Sequence, residues 1–355
     1  MFEDQNSVLG KAVFEEKLLP ISGGGKKVAR FVIGTSTAGW TLENCDYLCD
    51  GINDQVEIIQ ALEALPATGG EIVILDGTYN ITASINIPKN NVSLRGNGNA
   101  TILKRGYDST NTDSGSTARG LITLNEKSGC KIQGLQIDGN KTTYTVRYNC
   151  GIYLYSSSNN TVTGNTCNNS SADGIYLSSS SSYNTITGNT CTNNSTGIEL
   201  FSSSETTITG NTCNNNIHSG ILLYSSSNNT ITGNTCTYNN KHGICLDSYS
   251  DNNTVTGNIC NNNSTGGILL TASSNNMVTG NTCIRGTGIP EDYTTDQDQY
   301  TILLSGTGNN YNLISFNNCM GKKVEDEGGT GNSVWGNKFD ATSDLPWAEI
   351  ALYMS

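Results

Sequence analysis

The chain has 355 residues, a net charge of −12 and only 19 Lys+Arg, a balance that argues against a polyphosphate or nucleic-acid partner. Forty glycines and a Ser/Thr/Asn surplus would suit disorder, but apolar residues recur at strict intervals that disorder would not keep. No stretch approaches a membrane span, and Met1-Phe-Glu-Asp-Gln lacks the basic and apolar regions of a Sec signal, so folding in the cytoplasm is expected.

Residues 1–40 show no repeat and read as a leader or attachment segment, with Ser22-Gly-Gly-Gly-Lys-Lys as a flexible joint. Residues 41–70 read as a capping segment. Within it a helix is predicted over 54–65, with Val56, Ile59 and Leu62 on one face, Asp54 and Glu57 as a capping-box start, and Pro66 as the stop. Such a helix would cover the unpaired strand edges at the end of a solenoid. Cys45 and Cys49 have the spacing of half a zinc site, but no second pair accompanies them, so a structural role is expected.

Glu71-Ile-Val-Ile-Leu begins a body of stacked coils that runs over 71–340, and residues 341–355 are left as a C-terminal cap. Glycines open successive repeats at 151, 174, 197, 220, 243 and 267, and cysteines close them at 167, 191, 213, 236, 260 and 283. A fixed period near 23 residues means one structural unit stacked on itself. In Gly174-Ile-Tyr-Leu-Ser the alternation of Ile175 and Leu177 with Tyr176 and Ser178 predicts a strand with one buried face. Thr185-Ile-Thr-Gly gives a second strand, Gly188-Asn189 a corner, and Thr190-Cys191 a third strand. Three short strands per coil, with no helical period, predict an all-β right-handed parallel β-helix of about ten coils, spaced about 4.8 Å apart.

The inward rows are then legible. Ile152, Ile175, Ile198, Ile221, Ile244, Ile268 and Ile302 form one; Leu154 through Leu304 a second; Val162 through Ile314 a third. The cysteines form a fourth, extended by Cys319 and then Phe339. Twelve cysteines could mean disulfides or metal, but in-register side chains point the same way, so core packing is expected. Asn165, Asn189, Asn211, Asn234, Asn258, Asn281, Asn317 and Asn337 stack at one corner, where amides can hydrogen-bond along the axis.

Asp50-Gly-Ile-Asn-Asp-Gln, Gly69-Gly-Glu-Ile-Val-Ile-Leu-Asp-Gly-Thr-Tyr and Val92-Ser-Leu-Arg-Gly-Asn-Gly resemble the opening segment of the pectin-lyase-like superfamily. Tyr47-Leu-Cys-Asp-Gly resembles a variant found in bacterial and prophage β-helix proteins, and the Asn/Thr/Gly repeats resemble those of carbohydrate-binding and sugar-hydrolase β-helices. The likeness covers roughly residues 45–340 and implies a polysaccharide-related role. Those families include lyases, hydrolases, epimerases, phage tail proteins and inert scaffolds. The polygalacturonase and mannuronan-epimerase motifs are absent.

The corner from third strand to first lengthens in three places: at Gly106–Ala118, between Ile137 and Ile152, and between Cys283 and Ile302. Loops overhanging one edge of a rigid sheet are where function concentrates. The outward first-strand residues there include Tyr153, Tyr155, Tyr176, Glu199, Phe201, Tyr224 and Asp247, and exposed rings suit sugar faces. Tyr153, Tyr176 and Tyr224 are therefore expected to be exposed beneath the loops; plain stacking or a subunit interface is the alternative. Asp173, His218, Lys241 and His242 fall at the strand edge, with Arg147 in a loop. Glu199, Asp247, Asp173 and His242 are the candidate acids and bases, and Arg147, His218 and Lys241 join the rings as candidate sugar contacts. Glu199 and Asp247 sit two coils apart, wider than glycosidic hydrolysis needs, and Asp173 is expected no closer to Glu199. No cofactor is called for, although Asp296 and Asp298 offer oxygen ligands for Ca²⁺.

Three readings follow. The first is a polysaccharide-recognising protein of the phage or prophage tail type, or a cell-surface adhesin, either virion-associated or exported by another route. The second is a glycoside hydrolase or polysaccharide lyase on the same groove. The third is a structural solenoid whose tyrosine face is an oligomer contact, a homotrimer if tail-type.

Overall fold

The computed structural model describes residues 29–109, 119–284, 300–319 and 323–338. Two parallel sheets carry the solenoid. A ten-stranded sheet stacks the first strand of every coil, from Ile85–Asn86 to Lys323–Asp326. A 17-stranded sheet takes the second and third strands together, joined around their common corner. Register follows the repeat: Ile175 pairs with Ile152 and Ile198, Ile186 with Val162 and Ile208, and Cys191 with Cys167 and Cys213. The four inward rows are buried and make one continuous core. The row position assigned to Phe339 lies outside the described residues.

Each repeat opens on glycine because the backbone there runs against the next coil. A Cβ on Gly197 would lie 2.4 Å from the Gly220 carbonyl oxygen and 2.9 Å from Cys213 Cβ. The asparagine corner is satisfied along the whole axis. Asn211 donates its backbone N–H and its Nδ2 to Asn234 Oδ1, and Asn234 does the same to Asn258. Two further asparagine rows that the sequence reading did not separate run beside it: Asn229–Asn253–Asn276–Asn312, and Asn194–Asn216–Asn239–Asn263.

The helix spans Gln55–Ala64, as the capping pattern predicts to within a residue. Its details differ. The buried stripe is Ile58, Ala61, Leu62 and Leu65, while Val56 is 44% exposed; this i, i+3, i+4, i+7 set packs into the open end of the core. Asp54 does not cap. Its carboxylate accepts the N–H groups of Gly51 at 2.8 Å and Asn80 at 2.7 Å, tying the helix start to strand Gly77–Ile81. The leader also ends earlier than expected: Arg30–Thr35 is a strand, paired in parallel with Gly70–Ile74 and Tyr47–Cys49. It therefore belongs to the solenoid. The C-terminal cap over 341–355 lies outside the described residues.

Candidate functional site

All twelve cysteines are buried and free. Cys45 and Cys49 donate to the carbonyls of Thr41 and Asp54. Cys49, Asp54 and Glu57 converge, and burial and then the nearby carboxylates push the Cys49 thiol up.

Outward of the ten-stranded sheet the aromatic residues fall into two pairs. Tyr153 and Tyr176 stack at 5.2 Å with rings 10° apart; Phe201 and Tyr224 stack at 5.1 Å and 3°. Their environments are opposite. Phe201 is 41% and Tyr224 37% exposed, whereas Tyr153 is fully buried and Tyr176 nearly so. The expectation that both covered tyrosines face solvent is thus wrong. They sit outside the main core, in a satellite cluster with Cys150 and Ala172, against which Tyr155 packs. Tyr153 Oη lies 2.9 Å from Ser178 Oγ. The lengthened corner before Cys150 folds back here: Asp108 accepts Val146 N–H and Asn149 Nδ2, and Ser109 N–H donates to Asn149 Oδ1.

Arg119 completes this cover and was not singled out from sequence. It is buried, and its guanidinium carbon lies 4.8 Å from the Tyr148 ring centre, 5.9 Å from Tyr153 and 5.8 Å from Tyr176, all within cation–π range. Arg105, itself buried, donates to the carbonyls of Arg119 and Cys150 at 3.2 and 2.6 Å, fixing both chain segments.

Beside these rings lies the chief departure from expectation. Asp173 and Glu199 lie close enough for each to shift the other's carboxyl. Asp173 is buried at the start of strand Ile175–Ser178, and half-buried Glu199 is the second residue of strand Ile198–Phe201, opposite Tyr176. Burial pushes the Asp173 carboxyl up to about 6, opposed by hydrogen bonds from Thr196, by Arg119 and by the Glu199 bond. Burial, then the Asp173 charge and the shared hydrogen bond, hold Glu199 well above the usual carboxyl range, with Arg119 opposing. Both carboxyls thus keep a proton to higher pH than free acids do. The pair acts as one acid–base unit.

The other candidates are not drawn in. Asp247 lies two strands beyond Glu199 in the sheet and one outward position further along, and accepts Ser248 Oγ at 3.0 Å. His242 pairs with Gly266 along the strand edge. His218 and Lys241 are exposed on neighbouring coils, and His218 is held below its ordinary value by partial burial and then by Lys241. Arg147 is exposed, stacked 4.8 Å over Tyr148 and donating to its hydroxyl. Asp296 and Asp298 lie outside the described residues.

Residues 120–283 match a family model described as the right-handed beta helix region, and residues 237–346 match one described as periplasmic copper-binding protein (NosD). No curated protein sequence matches the chain. Among solved structures, a protein of Geobacillus virus E2 superimposes with a TM-score of 0.60 at 17% identity, covering 92% of this chain and 61% of its own. The DFA-IIIase of Arthrobacter chlorophenolicus gives 0.60 at 16%, covering 91% and 88%. The Dettilon tailspike protein gives 0.57 at 19%, covering 81% and 64%. The chain therefore spans less than two thirds of the length of either viral protein. In class it is an all-β, right-handed parallel β-helix. The likeness to these solved structures is one of fold. Among the described residues no helix is long and apolar enough to cross a membrane.

Proposed function

We propose that the protein recognises a polysaccharide on the outer face of the ten-stranded sheet, in the manner of a phage or prophage tail component or a cell-surface adhesin. The observation that carries this is the Phe201–Tyr224 stack. Two parallel, stacked rings, each more than a third exposed, stand on rigid strands of adjacent coils. Leaving such a pair in water costs stability unless it has a partner, and a sugar's apolar face fits a flat ring. The likeness to a tailspike protein supports the same reading. A sugar on this stack would extend toward Glu199, which pairs with Leu222 one outward position before the rings. His218 and Lys241 at the edge would supply polar contacts.

A second reading, a polysaccharide-cleaving enzyme, is favoured by the carboxyl pair itself. Perturbed, partly buried acids beside an exposed binding face are the usual mark of a reactive site. The third reading, an oligomer contact and a homotrimer if tail-type, would place the rings against another copy.

A glycan-array screen followed by reducing-end assay on every hit tests all three. Binding lost in Phe201→Ala and Tyr224→Ala supports the proposal, and release of new ends lost in Glu199→Gln adds the enzyme. No binding to any glycan, together with a trimer that those two variants dissociate, would overturn it in favour of the interface.

A further inference from the structure

The outward row that carries the exposed rings continues past them. Across the ten-stranded sheet it runs Ser178, Phe201, Tyr224, Asp247 and Thr271, each the register partner of the next. Ser178 is buried and bonded to Tyr153, so the row is closed on that side. On the other side Asp247 stands beside Tyr224, one coil further and about 4.8 Å along the axis. Asp247 is half-buried, and its Oδ1 accepts Ser248 Oγ at 3.0 Å. The ion pairs among the described residues join Arg30 and Arg95 to Glu71, so Asp247 has no cation paired with it. His218 and Lys241 come six residues before Tyr224 and Asp247, at the far end of the strands and roughly 20 Å away.

The corner after Asp247 differs from its neighbours. Ser226 N–H donates to Ser250 Oγ, and Ser250 N–H to Ser273 Oγ. These serines therefore occupy one row, two residues after Tyr224 and Thr271 but three after Asp247. The extra residue is accommodated at Ser248 and Tyr249, both with positive φ, and the Tyr249 side chain is 74% exposed. A bulky residue in that region is uncommon and strained, and strain of this kind gathers at binding sites. A third aromatic ring is thus held in water one coil beyond the Phe201–Tyr224 stack, with an unpaired carboxylate between them.

We propose that Asp247 and Tyr249 complete the Phe201–Tyr224 platform as a specificity subsite, one that takes a sugar donating a hydroxyl or ammonium hydrogen to Asp247 and turns away uronates. The inference rests on the proposed glycan-binding function and names the sugar class of that same site. A carboxylate is acceptor-only, so the unit beside Tyr224 must offer a donor. A uronate there would set a second negative charge against Asp247 with no cation to offset either, and like charges in contact oppose binding. Glu205 and Asp251, which follow the same corners, add to the negative potential. Asp247 is then a binding residue that fixes which sugar sits on the rings.

The test is an array of neutral, amino-sugar and uronate oligomers probed with the whole chain and its variants. Hits that Tyr224→Ala abolishes should be neutral or amino-sugar glycans. Asp247→Asn, which keeps an acceptor for Ser248 but loses the charge, should weaken them about tenfold without lowering the melting point. Tyr249→Ala should weaken them less, and Asp247→Lys should move the hits toward uronates. Salt separates the two donors: binding through an ammonium falls as salt rises, and binding through a hydroxyl stays nearly constant. Hits confined to uronates in the wild type would overturn the subsite, and that result needs no variant to fold. So would hits that depend on Tyr224 but are unchanged in both Asp247→Asn and Tyr249→Ala; the platform would then stand without the subsite. No binding, or binding that Phe201→Ala and Tyr224→Ala leave intact, would instead overturn the platform, and the subsite with it.

Discussion

Asp173 and Glu199, on consecutive coils, lie close enough for each to shift the other's carboxyl. Burial holds both above the ordinary carboxyl range. Glycine at 174 and 197 lets the strand starts approach closely: a Cβ on Gly174 would lie 2.8 Å from the Gly197 carbonyl oxygen. That close stacking brings Asp173, two residues before one strand, near Glu199, the second residue of the next.

The pair should make stability depend on pH in a defined direction. Both acids bind their proton more tightly in the folded chain than in the unfolded one, where the ordinary values hold. The folded state therefore holds more protons above pH 4, and stability falls as pH rises through about 6 and beyond. A shift of this size corresponds to roughly 2 kcal/mol or more. Urea unfolding at pH 5 and pH 8 should show it, and Glu199→Gln, which removes the like-charged neighbour, should make the difference smaller. Equal slopes in both proteins would mean that Glu199 adds nothing to the pH dependence of folding.

The asparagine corner yields a prediction about local stability. Asn234 accepts two hydrogen bonds from Asn211 and donates to the carbonyls of Ile208 and Thr232 and to Asn258. Asn234→Ala leaves a buried N–H and several buried acceptors unpaired, at about 1–3 kcal/mol each. Because coils couple mainly to their neighbours, the damage should be local. Amide hydrogen exchange should speed up most at Ile208 to Cys213, and Asn337→Ala, near the end of the row, should cost less.

How far the sequence could be read follows from what each feature depends on. Rows such as Ile152–Ile175–Ile198 and Asn189–Asn211–Asn234 need only the repeat period and the alternation of faces, so they were legible. The burial of Tyr153 was not. Its outward direction was read correctly, but the course of the lengthened corner before Cys150 depends on Asp108, Asn149 and Arg105, which no period announces. The Asp173–Glu199 contact was missed for a related reason: equal spacing along two coils places backbones, while the contact rests on where two side chains turn under cover. Arg119 comes just before strand Gly120–Asn125 and outside the strand pattern, and only its contacts with three rings reveal it.

The buried thiols should be chemically silent. All twelve lie under the surface, and burial pushes Cys319 up to about 11 and, with the Asp247 charge, Cys245 up to about 12, far from the thiolate that reacts. A disulfide reagent such as DTNB should modify no cysteine in the native chain and all of them in denaturant. Cys213→Ser, which puts a hydroxyl in the apolar row, should lower stability by about 1–3 kcal/mol. Rapid labelling of one or more thiols at neutral pH would show that the coils open there.

The two aromatic stacks should respond oppositely to the same substitution. Tyr153 is buried against Tyr176, Cys150 and Ala172, with Arg119 above, so Tyr153→Ala opens a cavity and should cost about 3–5 kcal/mol. Its effect on glycan affinity should be indirect, appearing only as the protein loosens. Tyr224 gives up little packing because it is 37% exposed, so Tyr224→Ala should leave the unfolding midpoint nearly unchanged. It should weaken glycan binding about tenfold, equivalent to about 1.4 kcal/mol. Calorimetric melting and binding titration on the same two variants separate the effects. If Tyr224→Ala lowered the melting point as much as Tyr153→Ala, the exposed stack would be part of the packing. If neither changed affinity for a glycan that the wild type binds, the sugar would lie elsewhere on the solenoid.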